Sequence, residues 1–237
     1  MSGERTKPET GGMPLPAARA PLPLCTACPR LAGFLAESRR RYPGYFCKPV
    51  PAFGDPTPQL FIVGLAPGLH GANRSGRPFT GDYAGVLLYE TLHAFGYGSR
   101  PVSESAADGL VLTGCRISNA VKCVPPENKP QTDEIKRCNA YLGEELAALP
   151  ATTALLALGL VAHKAVLLAL GLKQSAYPFG HGAVHRLPDG RRCYDSYHCS
   201  RYNTQTRRLT PEMFRAVFTR IQKETPCPSS RSNLPAA

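Results

Sequence analysis

Short apolar runs, each closed by a glycine or a polar turn, alternate along this chain with longer stretches that read as helix. Gln59-Leu-Phe-Ile-Val-Gly64 and Thr152–Leu158 are apolar at consecutive positions, which predicts strands buried on both faces. Further strands are predicted around Arg116–Val121 and over Arg192–Tyr197. Helices are predicted from Pro29 to about Arg41, over Tyr83–Phe95, from Thr132 to about Leu149 and over Val161–Leu170. Pro29 suits a first helical turn. Thr132 is expected to cap its helix, with Asp133 and Glu134 in the first turn. Thr210-Pro-Glu-Met starts a final helix, with Thr210 as N-cap and Pro211 at the first position. Tyr42–Pro58 is rich in Pro and Gly and reads as loop.

Strands alternating with helices predict an α/β fold: a three-layer α/β/α sandwich around a short, mostly parallel central sheet. In such folds the site lies at the carboxyl ends of the strands. Three polar, Gly- or Pro-rich loops follow strand ends here: Leu65–Asp82, Lys122–Pro130 and His198–Thr210. Residues 1–23 hold five prolines without an apolar pattern and are expected to be a flexible tail, as is the Pro/Ser-rich stretch 226–237. One domain is expected over 24–225.

Charge and cysteine change the picture more than length does. No run in the 237 residues approaches the ~18 apolar positions of a membrane span. The first thirty residues lack the apolar core of a secretory signal, so a cytoplasmic, nucleoid-associated protein is expected. The 28 Lys+Arg against 17 Asp+Glu give +11, which favours an anionic partner, nucleic acid first, over a merely basic surface. Nine cysteines without an export signal argue against a disulfide framework and for a metal or cluster site. Cys25 and Cys28 have C-x2-C spacing; Cys123 and Cys138 are the other candidates. A paired zinc knuckle lacks its second C-x2-C, a [4Fe–4S] cluster tolerates looser spacing, and spacing alone leaves cluster, zinc and neither open. Cys47, Cys115, Cys193 and Cys199 read as small buried hydrophobes, and Cys227 lies in the tail.

Three motifs carry a resemblance. Gly64-Leu-Ala-Pro-Gly68 followed by His70-Gly-Ala-Asn-Arg-Ser-Gly-Arg-Pro-Phe-Thr-Gly-Asp82 resembles the first motif of the uracil-DNA glycosylase superfamily. Lys122-Cys-Val-Pro-Pro-Glu-Asn-Lys-Pro130 resembles its second cluster-binding segment. Tyr197-His-Cys-Ser-Arg-Tyr-Asn-Thr-Gln-Thr-Arg-Arg-Leu-Thr210 resembles its last motif. Together they are similar to the family 5, or type B, branch over about residues 24–224.

The resemblance implies a structural [4Fe–4S] cluster on Cys25, Cys28, Cys123 and Cys138. It implies a base-excision activity on DNA that carries uracil or other deaminated bases such as hypoxanthine, with a monomer as the working form. Asp82 aligns with the acid that activates water or stabilises the cationic sugar, Asn128 with a position near that water, and His198 with the histidine facing the base oxygen. Phe79 aligns with the base-stacking ring. Ala66, Gly68, His70, Asn73 and Asn119 are placed around the base, Asn119 because a side-chain amide offers both donor and acceptor to a pyrimidine edge. Arg201, Tyr202, Asn203, Arg207 and Arg208 are placed on the DNA. Asp82 also suits an N-cap for the Tyr83 helix. Leu65 stands where the type A branch has an acid, Cys199 where related enzymes have Pro, and Arg207 where Gly is expected. The rival readings are a narrow uracil-only glycosylase and an iron–sulfur DNA-binding protein without catalysis.

Overall fold

The computed structural model describes residues 21–225. After the first of three 3-10 turns (Leu22–Leu24; the others are Pro126–Asn128 and Gln174–Ala176), the elements in chain order are α1 (Pro29–Arg41), β1 (Phe53–Gly54), β2 (Leu60–Gly64), α2 (Ala72–Ser75), α3 (Tyr83–Ala94), β3 (Cys115–Asn119) and α4 (Thr132–Ala147). They continue with β4 (Ala154–Leu158), α5 (Leu160–Ala169), β5 (Val184–Arg186), β6 (Arg192–Ser196), α6 (Arg201–Gln205) and α7 (Pro211–Glu224). The expected tails fall outside the described residues at 1–20 and 226–237, which include Cys227. The stretch 21–23, expected as tail, enters the first turn.

The six strands form one sheet in the order β1-β3-β2-β4-β6-β5. Its four inner strands are parallel and its two edges antiparallel. The consecutive apolar residues of β2 and β4 divide between two cores. Leu60, Ile62, Leu156 and Leu158 pack with α3 and α7, whereas Phe61, Val63, Leu155 and Ala157 pack with α4 and α5. This is the three-layer sandwich that the pattern predicts, since period-two side chains in a strand covered on both faces must all be apolar.

Local corrections follow from short-range chemistry. Thr132 is exposed and Gln131 is the N-cap of α4; Glu134 returns its carboxylate to the Gln131 N–H at 2.7 Å in a capping box. Three predicted loops hold short elements: β1 within 42–58, α2 within 65–82, and α6 within 198–210. The third strand spans Cys115–Asn119, and the 116–121 expectation ran on into the turn beyond it. Thr210 accepts from the Met213 N–H at 3.2 Å, so the last helix is capped as expected. Cys115, Cys193 and Cys199 are buried in the apolar cores, and Cys47 is buried beside the Asn73 amide.

Candidate active site

The carboxyl ends of β2, β3 and β6 deliver the three motif loops to one side of the sheet. There a pocket of about 380 Å³ is lined by Leu65, Ala66, Gly68, Phe79, Asp82, Tyr83, Ala84, Asn128, His198, Ser200 and Arg201. That volume lies in the range of small-ligand sites.

Asp82 occupies the N-cap position of α3, but its side chain does not cap that helix. It turns back into its own loop and accepts from the Ala72 N–H at 3.0 Å. The loop is built to admit it: a Cβ on Gly71 would lie 1.9 Å, and one on Gly68 2.1 Å, from Asp82 Oδ1. Burial pushes the carboxyl above its ordinary range, while the Ala72 and Gly68 N–H groups and the Arg74 charge pull it back.

Phe79 sits at φ 60°, a left-handed backbone that side chains rarely adopt. Such a conformation costs about 1–3 kcal/mol, an amount that burial of a Phe side chain, about 1.5–3 kcal/mol, can offset. Its neighbours hold it there. Arg77 bonds Asp108 and the Ala106 carbonyl, each at 2.7 Å; Tyr89 donates to the Pro78 carbonyl at 2.6 Å; and Thr80 meets Ser103 at 2.7 Å. The ring lies 5.9 Å from that of His198, the planes inclined by 25°. Burial lowers the His198 pKa to about 4, so its imidazole is neutral near pH 7.

The other expected residues divide. Ala66, Gly68, Asn128 and Arg201 line the pocket, Asn128 at φ 57° in a tight turn. Asn119 lies beneath the floor: Gly64 is its partner in the sheet, and a Cβ there would come within 2.4 Å of Asn119 Oδ1 and 2.5 Å of the Phe79 ring. That Oδ1 is buried with no hydrogen-bond partner among the described residues. Asn203 does not line the pocket; its amide donates to the His198 carbonyl at 2.8 Å. Arg208 lies over Tyr197 at 4.7 Å, Tyr202 is 70% exposed, and Arg207 takes φ 56°, the left-handed geometry that makes glycine the expected residue there.

Two residues expected around the base do not line this pocket. Asn73 is fully buried behind the loop, donating toward the Leu69 carbonyl and Cys47 Sγ, because α2 turns it inward. His70 is exposed outside the pocket with Nδ1 on the Tyr45 hydroxyl. Tyr83 and Ser200 are pocket residues that the sequence reading missed. The signal for Tyr83 was its place directly after Asp82, and Arg201 reaches its ring at 5.6 Å.

The four cysteines meet beside this site. Cys25, Cys28, Cys123 and Cys138 line one small cavity with Leu22, Leu31 and Tyr141. Burial raises the Cys28, Cys123 and Cys138 thiols, Cys138 to about 11 against the pull of the Lys122 N–H, which donates to its Sγ at 3.3 Å. Arg30, two residues after Cys28, forms a two-point ion pair with Glu134 at 2.8 and 2.7 Å, fastening α1 to α4.

Comparison with known proteins decides the family. Residues 51–222 match the Uracil DNA glycosylase superfamily. The chain is 47% identical over 202 residues to the type-5 uracil-DNA glycosylase of Thermus thermophilus, covering 83% of this chain and 92% of the relative. The chain belongs to the uracil-DNA glycosylase superfamily, in its type-5 branch. Type-5 enzymes of Pyrobaculum aerophilum (41% identical, 86% of this chain and 90% of the relative) and Mycobacterium leprae (40%, 90% and 96%) are similar over comparable spans. Within this superfamily frame, the convergent groups are a carboxylate held by backbone N–H groups, a strained aromatic ring and a neutral imidazole.

Proposed function

We propose that this pocket hydrolyses the N-glycosidic bond of uracil, and of other deaminated bases such as hypoxanthine, in DNA, leaving an abasic site. The observation that carries the reading is Asp82, a half-buried carboxylate on backbone N–H groups, lining the same pocket as the Phe79 and His198 rings. A base must leave the helix stack to enter such a pocket. Phe79 offers a face for it. As the bond breaks, negative charge grows on the base and positive charge on the sugar. The neutral His198 ring donates an N–H to the base oxygen. Asp82 stabilises the sugar cation and, with Asn128, orients the water that captures it. Asn119, with its unpaired Oδ1 under the floor, is the amide that reads the base edge. Leu65, Ala66 and Ala84 leave small apolar walls, which suits purines as well as pyrimidines. The Lys122 ammonium is buried on Glu145 at 2.6 Å, away from the pocket, so hydrolysis rather than lysine-dependent strand cleavage is expected.

The four cysteines fit a [4Fe–4S] cluster. Cys138 is buried and Cys25, Cys28 and Cys123 are half-buried, so four thiolates gathered at this cavity need a cationic centre to offset their charge. When bound, the cluster supplies a structural tie between the first turn, α4 and the Asn128 loop, and no redox step.

The test is incubation of the protein with duplexes carrying one uracil or one hypoxanthine, followed by alkaline cleavage of abasic sites, with Asp82→Ala in parallel. Breaks from both bases, lost in the variant, are expected. Breaks from uracil alone would reject the broad substrate range, and none from either would favour DNA binding without catalysis.

A further inference from the structure

The loop that carries Asp82 also carries two exposed side chains that the pocket does not use. Arg74, on α2, lays its guanidinium against Gly81: a Cβ there would lie 2.9 Å from Nη2. It makes no side-chain hydrogen bond or ion pair to another described residue. His70, next to the Gly71 that packs on Asp82, meets the Tyr45 hydroxyl at 3.0 Å. Tyr45 stacks on Tyr42 at 4.7 Å with planes 14° apart, and both tyrosines meet the His70 ring edge-on. Arg41 lies over Tyr42 at 5.5 Å. The segment is docked rather than loose: the Phe46 and Cys47 N–H groups donate to the Arg74 and Asn73 carbonyls at 3.0 and 3.1 Å.

Two half-buried tyrosine rings and the exposed His70 ring, set among the exposed cations Arg41 and Arg74 and docked on the loop that carries Asp82, match the chemistry of a nucleic-acid backbone. With the Tyr45 O–H donating to Nδ1, the His70 Nε2–H is left as an outward donor. We propose that Arg41, Tyr42, Tyr45, His70 and Arg74 form a second DNA contact, separate from the 201–208 loop, which holds a phosphate of the damaged strand beside the extruded nucleotide. This rests on the DNA glycosylase reading of the pocket and adds a surface to it.

The experiment titrates full-length protein with a duplex carrying one 2′-fluorinated deoxyuridine, which resists hydrolysis, between about 50 and 200 mM salt. Arg74→Gln, Arg41→Gln, Tyr45→Ala and Tyr45→Phe are compared with the parent, and melting temperatures confirm folding. Arg74→Gln is expected to weaken binding about tenfold and to lower the slope of log affinity against log salt by about one. Tyr45→Ala should weaken binding, with partial recovery in Tyr45→Phe. A scan of neutral methylphosphonate linkages along the damaged strand should find one position at which the Arg74→Gln difference disappears. Unchanged affinity and slope in both arginine variants, with slower excision by Arg74→Gln from the matching duplex with unmodified deoxyuridine, would overturn the proposal and leave Arg74 as a charge acting on Asp82. Parent protein that binds this duplex but releases no base from the matching duplex with unmodified deoxyuridine would sink the catalytic reading, while the affinity differences still decide this surface. Parent protein that binds no DNA would sink both.

Discussion

Asp82 and His198 face one pocket, and burial moves them in opposite directions: the carboxyl upward, the imidazole down to about 4. Each shift favours a neutral form, and the reaction needs only one of them neutral. In the proposed mechanism Asp82 is ionised to stabilise the sugar, so single-turnover excision should rise with pH through a midpoint above the carboxylate's usual 3.8. No second limb should appear near the ordinary histidine value of about 6.5, because His198 has already lost its proton well below it. Were the imidazolium the working species, the rate would fall as pH rises through about 4. Asp82→Asn should flatten the acid limb and cost about 10²–10⁴ in rate. His198→Asn should keep the limb and cost about 10²–10³. A pH–rate profile of the three proteins checks both statements. Gly71→Ala tests the cradle without replacing a functional side chain. Its methyl has no room beside Oδ1, so excision should fall while urea unfolding still shows one cooperative step. These residues differed in how legible they were. Asp82, Phe79 and His198 stood in motifs. Asn73 and His70 shared the same motif, and only the turn made by α2 separates a buried strut from an exposed ring.

At the scale of elements, the sequence was clearest where several signals agreed. Thr210 and Pro211 together mark the start of α7, and the apolar residues that follow, Phe214, Val217, Phe218 and Ile221, are all buried. Thr132 had the acids but not the geometry. Glu134 serves Gln131, so the helix begins one residue earlier than a threonine-capped helix would. Thr210→Ala should therefore cost about 1 kcal/mol, and Thr132→Ala, at an exposed first turn, should stay within about 0.5 kcal/mol. Urea midpoints at constant m-value measure the contrast, and equal losses would reject the cap assignment. The edge strands were illegible for a simple reason. Two residues in β1 and three in β5 carry too little alternation to register, and their pairing is set by β3 and β6 rather than by their own composition. The five-residue α6 escaped notice in the same way, inside a polar segment that otherwise reads as loop.

At the scale of the described molecule, the first turn and α1 meet the sheet-and-helix body where the four cysteines gather. The sheet and its helices were readable from strands apolar on both faces, but nothing in the apolar pattern ties residues 22–28 to the rest. That attachment rests on Leu22, Leu31, Val121, Tyr141 and the cysteines, a much smaller core than those on the two faces of the sheet. Arg30–Glu134 adds a clamp, but Arg30 is partly exposed, so the pair contributes modestly. If a [4Fe–4S] cluster supplies the remaining hold, anaerobically purified protein should carry about four irons and four sulfides per chain, and Cys138→Ala should lose both. The consequence should be regional. Cys123 shares its loop with Asn128, so losing the cluster should raise amide hydrogen exchange in 22–41 and 122–130, leaving β2, β4 and β6 protected. Excision should then fall through Asn128 and not through Asp82, so the slow variant keeps the parent's acid limb in its pH profile. Full iron retention in Cys138→Ala, or exchange rising evenly across the sheet, would refute this division of labour. The same protein would then need another account of what holds its first helix to the loop beside the pocket.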